Sequence, residues 1–208
     1  MKKHSLYLAI GVLVTLASCT KKTQSTNSTG NNNNTNNGVT VTSTPQFTGS
    51  IGGTSYSLVS GTTYTNGTGS SKNGSSPKTA TYSSYIVNGA NSGISINKGT
   101  ISYPSTSTYP DTATFRLFFA PNTYSYSINY TNGVEVTWTD ASGVTWSTSN
   151  GTGSQTGSTF KIAAEQYAND LGYQDEKVLI NFSCTLYNPG GTSMQLTNGV
   201  FVGYFENN

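Results

Sequence analysis

Residues 134–146 read Val134-Glu135-Val136-Thr137-Trp138-Thr139-Asp140-Ala141-Ser142-Gly143-Val144-Thr145-Trp146. Apolar and polar residues alternate on both sides of a turn signal, the period of a strand with one buried face. Asp140 and Ser142 favour a type I turn, and Gly143 can take the left-handed position that follows it. A three-residue loop of this kind sets Trp138 directly opposite Trp146. It puts Val134, Val136 and Val144 on the tryptophan face and Glu135 on the other, as a solvated strand charge.

The same pattern recurs on either side of this stretch. Phe47 to Ile51, then Gly52-Gly53, then Thr54 to Leu58 is a two-residue hairpin signal. Its register pairs Phe47 with Leu58 and Gly49 with Tyr56, whose ring would cover the strand glycine. Residues 61–78, rich in Gly, Ser, Thr and Asn with Pro77, read as a long mobile loop. Strands are expected near 79–87, 92–103 and 112–119. In the last of these, Phe115, Leu117 and Phe119 alternate with Arg116 and Phe118, as in a central strand covered on each side. Beyond a polar loop at 150–158, Phe160 to Ile162 begins another strand, while Ala163 to Tyr167 fits strand or helical turn equally. Val178, Ile180, Phe182, Cys184 and Leu186 form one face of a further strand. Pro189-Gly190-Gly191 makes a turn, and Met194, Leu196 and Val200 to Phe205 close the sheet. Asn-Gly-Val at 132–134 and again at 198–200 reads as a turn-to-strand entry. Roughly ten short strands with almost no helix indicate an all-β domain over residues 45–208, an antiparallel β-sandwich, with a β-barrel or jelly roll as the alternative.

Ahead of this domain the chain changes character. Ser25 to Gly38 is nearly all Ser, Thr, Asn and Gly and has nothing apolar to bury, so residues 19–44 read as a disordered tether. A flexible coil of about 25 residues spans roughly 25–30 Å on average. Residues 1–18 read as a signal peptide. Lys2 and Lys3 precede the apolar run Leu6 to Val14, which is shorter than the roughly 20 residues a membrane span needs.

Leu16-Ala17-Ser18-Cys19 resembles the lipobox of bacterial lipoprotein precursors: an aliphatic residue, two small ones, then cysteine. The resemblance implies diacylglycerol on the Cys19 thiol, cleavage between Ser18 and Cys19, and acylation of the new amine with a fatty acid such as palmitate. Several acyl chains on one residue exceed the two-signal requirement for stable anchoring. Thr20 stands where an inner-membrane retention signal would carry aspartate, which implies the outer membrane. Lys21 and Lys22 stand where surface-displayed members carry acidic residues, so the periplasmic and surface faces both stay open. The lipobox, the tether, the hairpin Phe47–Leu58 and the ending Phe182 to Tyr187 with Leu196 to Phe201 resemble small Bacteroidota envelope lipoproteins. That likeness brings no activity with it.

Composition narrows the function further. Charged residues are 9% of the chain, against about 25% in typical soluble domains. Losing Lys2 and Lys3 with the leader leaves eight basic residues against eight acidic, with Arg116 the single arginine. Nucleic-acid binding needs clustered basic residues and is set aside. His4 is the only histidine and lies in the leader. The mature chain therefore has no Ser–His or Cys–His pair and no imidazole for zinc. With Cys19 lipidated, Cys184 has no disulfide partner, and its place in the alternation marks a buried small hydrophobe.

The candidate ligand-binding residues are Tyr124, Tyr126 and Tyr130, read as surface tyrosines alternating along one strand face, able to stack on sugar rings. Trp138 and Trp146 read as sheet packing. Asp111-Thr112-Ala113 resembles the O-glycosylation signature of Bacteroidota envelope proteins, with Thr112 as acceptor; a strand entry after Pro110 is the alternative. Asp170, Asp175 and Glu176, with Asn169, read as one charged loop offering oxygen ligands to a weak calcium site, although the spacing matches no calcium-loop motif. No other cofactor is indicated. The expected protein is a non-enzymatic, lipid-anchored β-module that binds a glycan or an envelope protein. A structural coat is the alternative, and a carboxylate-only glycosidase a more distant one.

Overall fold

The computed structural model describes residues 38–74, 76–170 and 173–207. The leader, Cys19 and the tether as far as residue 37 lie outside these residues. The hairpin of β1 (Gln46–Ile51) and β2 (Thr54–Val59) pairs Phe47 with Leu58 and Gly49 with Tyr56, as expected. Gly52 and Gly53 both take positive φ, 57° and 85°, which a two-residue turn matching the strand twist requires. The cover over Gly49 differs from expectation. A Cβ there would lie 3.0 Å from the Phe47 ring, while Tyr56 turns away to meet Trp138 edge-on, with centroids 4.7 Å apart.

The stretch expected to be a loop over 61–78 contains a ten-residue strand, β3 (Tyr64–Asn73). It pairs along its whole length with β4 (Lys78–Asn88), from Tyr64 opposite Asn88 to Asn73 opposite Thr79. β3 is an edge strand built from small polar residues, so no apolar alternation marks it. The aromatic cover expected at Gly49 occurs here instead: the Tyr85 ring lies across Gly67, where a Cβ would fall 2.3 Å from it.

β5 (Gly93–Tyr103) follows as expected, but 112–119 is not a strand. It forms α1 (Thr112–Phe118), capped by Asp111, whose carboxylate accepts from the Thr114 N–H at 3.0 Å and the Thr114 hydroxyl at 2.8 Å. Phe115, Phe118 and Phe119 fit i, i+3, i+4 as well as they fit alternation. The helix buries Phe115 and Phe119 against each other at 5.2 Å and leaves Leu117 75% exposed.

Next come β6 (Asn122–Thr123), a 3-10 turn (Ile128–Tyr130), β7 (Gly133–Thr139) and β8 (Thr145–Ser147). Trp138 and Trp146 pair directly. Asp140 organises the loop between them. Its Oδ1 accepts from the N–H groups of Ser142 and Val144, and its Oδ2 from Trp146 Nε1 at 3.1 Å. Val134, Val136 and Trp138 are buried, whereas Val144 ends the loop and is exposed. It does not join the valine face. Glu135 is not simply solvated either, since its carboxylate accepts from the Ser147 hydroxyl.

β9 (Thr159–Asp170), β10 (Tyr173–Tyr187) and β11 (Ser193–Asn207) complete the sheet, so Ala163 to Tyr167 is strand. All pairings between strands are antiparallel, in the order β2-β1-β11-β10-β8-β7-β5-β4-β3. β9 shares the β10 edge below β8, and β6 pairs with β9. The sheet curls into a half-barrel whose two limbs face each other like the layers of a sandwich, β11 lying over β4. The all-β antiparallel expectation holds. Inside sits one continuous core that includes Phe47, Ile94, Ile96, Trp138, Ile180, Phe182, Phe201 and Phe205. α1 packs Phe115 and Phe119 against Tyr82, and Phe119 stacks on Phe205 at 4.6 Å.

β11 carries one extra residue relative to both neighbours, between Leu196 and Val200. Asn198 takes φ 53° there, making a bulge that bends the strand. A Cβ on Gly199 would lie 2.8 Å from Leu196 and 2.9 Å from the Phe182 ring. Thus Asn-Gly-Val at 198–200 is a bulge within a strand and not an entry into one. On the outer face a second apolar cluster, Ala163, Leu179, Val200 and Val202, is covered by Val39 and Val41. Residues 38–44, placed in the tether by composition, form a strap against the domain, held by a tight turn in which the Thr40 N–H meets Ser43 Oγ at 3.0 Å.

Candidate functional site

The three tyrosines do not form a stacking face. Tyr124 is half-buried against the core, and its hydroxyl donates to the Ala120 carbonyl at 2.6 Å. Tyr126 packs edge-on against Phe160, and its hydroxyl lies 3.0 Å from the Ser183 carbonyl and 3.1 Å from that of Thr159. Burial pushes the acidity of both phenols down, raising their pKa. Tyr130 lies apart from them, on the 3-10 turn at φ 49°. The first two are pinned to the main chain as sheet packing and are not surface rings.

Thr112 is the first residue of α1, half-buried behind its cap, and not a strand entry. Cys184 is buried, and burial pushes its thiol up to about 12. The acidic residues near 170–176 are not one loop. Asp170 ends β9, and Asp175 and Glu176 are neighbours in β10, where successive side chains point to opposite faces. Among the described residues no three His, Cys, Asp or Glu side chains gather as a metal site.

Under α1 lies a polar cluster that alternation could have revealed. Glu176 shares the parity of Val178, Ile180, Phe182, Cys184 and Leu186, and it is fully buried. Neither of its oxygens has a hydrogen-bond donor among the described residues. Burial, then the adjacent Glu165, push its carboxyl up to about 10, partly offset by Arg116. A protonated Glu176 can donate to Glu165. Glu165 in turn holds Arg116 at 3.3 Å, with the Arg116 guanidinium over the Tyr167 ring. The two glutamates sit within hydrogen-bond reach of each other. A retaining glycosidase holds its carboxyl groups about 5–5.5 Å apart and an inverting one further. Glu176 is also sealed from solvent.

On β5, Lys98 likewise shares the parity of the buried Ile94 and Ile96. Its ammonium sits 3.4 Å from the Phe118 ring centre and 4.1 Å from that of Tyr124. Burial pushes it down to about 7. Rings supply the only attraction this cation has among the described residues. Nearby, Asn207 accepts from Tyr82 Oη at 2.9 Å and donates to the Pro110 carbonyl and to Gln174. These inner-face groups fasten α1 and its entry to the sheet.

The open site lies on the opposite face. Outward side chains of β9 and β10, the end of β6 and the β11 bulge enclose a groove of about 720 Å³, within the size range of small-ligand sites. Thr123, Thr159, Lys161, Asn181, Ser183 and Asn198 line it above Phe182, Gly199 and Val200. No carboxylate side chain is in the lining. The Thr159 and Ser183 hydroxyls hold each other at 3.1 Å. The strap covers the adjoining strip of the same face, and Val200 belongs to both. Compared with known protein families, curated proteins and solved structures, the chain matches none of them.

Proposed function

We propose that the chain is a lipid-anchored envelope protein whose β-domain binds a ligand, a glycan or another envelope component, and performs no catalysis. The observation that carries this reading is the division between the two faces. Lys98 and Glu176, charged side chains whose acidity burial alters, are sealed inside and pack against the core. The open groove offers hydroxyls, amides and one ammonium, with no acid–base pair. The lipobox at Leu16 to Cys19 supports attachment through Cys19 at the outer membrane.

The test uses the full chain expressed in its host. Wild type is expected in the membrane fraction, cut before Cys19 and carrying acyl mass, and Cys19→Ala is expected uncut and unacylated. Envelope material is expected to be retained by wild type and lost with Ser183→Trp, which fills the groove. Equal retention by Ser183→Trp, with an unchanged melting temperature, would count against a binding role for the groove.

A structural coat remains the second reading, favoured by the commitment of Tyr124 and Tyr126 to internal contacts. Because those rings pack the fold, substitutions there do not separate the two readings; the groove variants do.

A further inference from the structure

We infer that the groove takes a short oligosaccharide carrying an anionic group, a carboxylate or sulfate on a polyhydroxylated ring. The inference rests on the reading of the groove as the binding surface.

Lys161 carries it. Among the described residues every other basic side chain is engaged. Arg116 meets Glu165, and Lys78 donates to the Ser107 carbonyl at 2.8 Å. Lys72 lies over Tyr109, Lys98 over Phe118 and Tyr124, and Lys177 over Tyr204. Lys161 has no such partner among the described residues, is exposed, and lines the groove. An ammonium set in a concavity without a carboxylate favours an anion there.

The other lining groups define what bears the charge. Thr123, Thr159, Ser183, Asn181 and Asn198 present hydroxyls and amides, groups that both donate and accept. Vicinal hydroxyls of a sugar do the same. The bulge sets Asn198 in a left-handed conformation at the rim, the kind of re-aiming bulges provide.

Other ligand classes fit less well. An extended peptide binds sheets by adding to an edge, but β10 is paired on both sides here, with β9 and β11. One lysine does not make a nucleic-acid footprint. The apolar residues in the lining, Phe182 and Val200, are themselves buried, which leaves little surface for an acyl chain.

The experiment is calorimetric titration of the full chain in detergent with trigalacturonate, a sulfated chondroitin tetrasaccharide and, as neutral control, maltotriose. At least one acidic probe is expected to bind about tenfold or more tighter than maltotriose. Lys161→Glu is expected to remove that advantage, the size of effect that follows from one charge-assisted hydrogen bond. Lys161→Arg is expected to keep it, and rising salt to erode it. If neither acidic probe outbinds maltotriose, or if Lys161→Glu binds as wild type does, the inference is overturned. If the acidic probes fail while Ser183→Trp still abolishes envelope capture, the anionic-sugar assignment falls and the groove stands as the binding surface. Leu117→Ser, remote on α1, controls for fold.

Discussion

Glu176 and Lys98 are the residues where burial and charge conflict most sharply, and each sets a pH dependence. Glu176 has a folded pKa of about 10 against an ordinary 4.5. The folded state therefore keeps a proton that the unfolded chain sheds. Its contribution to stability is fully present below about pH 4.5 and declines as pH rises toward 10. Lys98 runs the other way: its folded pKa of about 7 lies below 10.5, so its penalty is full below pH 7 and is relieved between 7 and 10.5. Between pH 5 and 7 the slope among the described residues comes chiefly from Glu176, by up to about 1.4 kcal/mol per pH unit. Melting temperatures measured across that range are expected to fall for wild type and to stay nearly level for Glu176→Gln. Lys98→Met is expected to gain more stability at pH 6 than at pH 10. A Glu176→Gln variant with the wild-type slope would show that the carboxyl is ionised in the fold.

At the scale of elements, legibility followed turn chemistry and periodicity. The hairpin Phe47–Leu58 and the pair Trp138–Trp146 were readable because alternation and turn residues pointed to the same register. β3 was unreadable because an edge strand made of Thr, Ser, Gly and Asn has no apolar face to betray it; its pairing with β4 and the Tyr85 cover over Gly67 are tertiary. α1 was misread because three phenylalanines satisfied two periods, and the Asp111 cap decided between them. The inner polar cluster was partly legible: carrying the β10 alternation back from Val178 reaches Glu176. The groove was not, since it depends on a bulge at Asn198 that the sequence presents as a turn. Asp111→Ala is expected to cost about 1 kcal/mol, read by chemical denaturation, while Asp111→Asn retains most of it. Gly199→Ala, which drives a methyl into Leu196 and Phe182, is expected to cost roughly 1–3 kcal/mol. A neutral Gly199→Ala would mean the bulge is loosely packed.

For the whole molecule, the strap matters because it ties the residues that precede the first strand to the groove side of the sheet. Val39 and Val41 cover Leu179, Val200 and Val202, and the groove begins at Val200. The double change Val39→Ser with Val41→Ser is expected to lower stability by about 1–2 kcal/mol, as half-buried valines would. It is also expected to speed amide exchange in the Val200–Val202 stretch. Unchanged exchange there would remove the strap from the folded unit. The proposed working surface is the outer face of β9–β11. A photo-crosslinking residue substituted in living cells at Thr123, exposed in the groove lining, and, as a comparison, at Val144, exposed on the Trp138–Trp146 loop, tests it with Lys161 left in place. Adducts with envelope material are predicted at position 123 and not at 144; equal labelling at both, or none at 123, would mean that the groove is not the working surface.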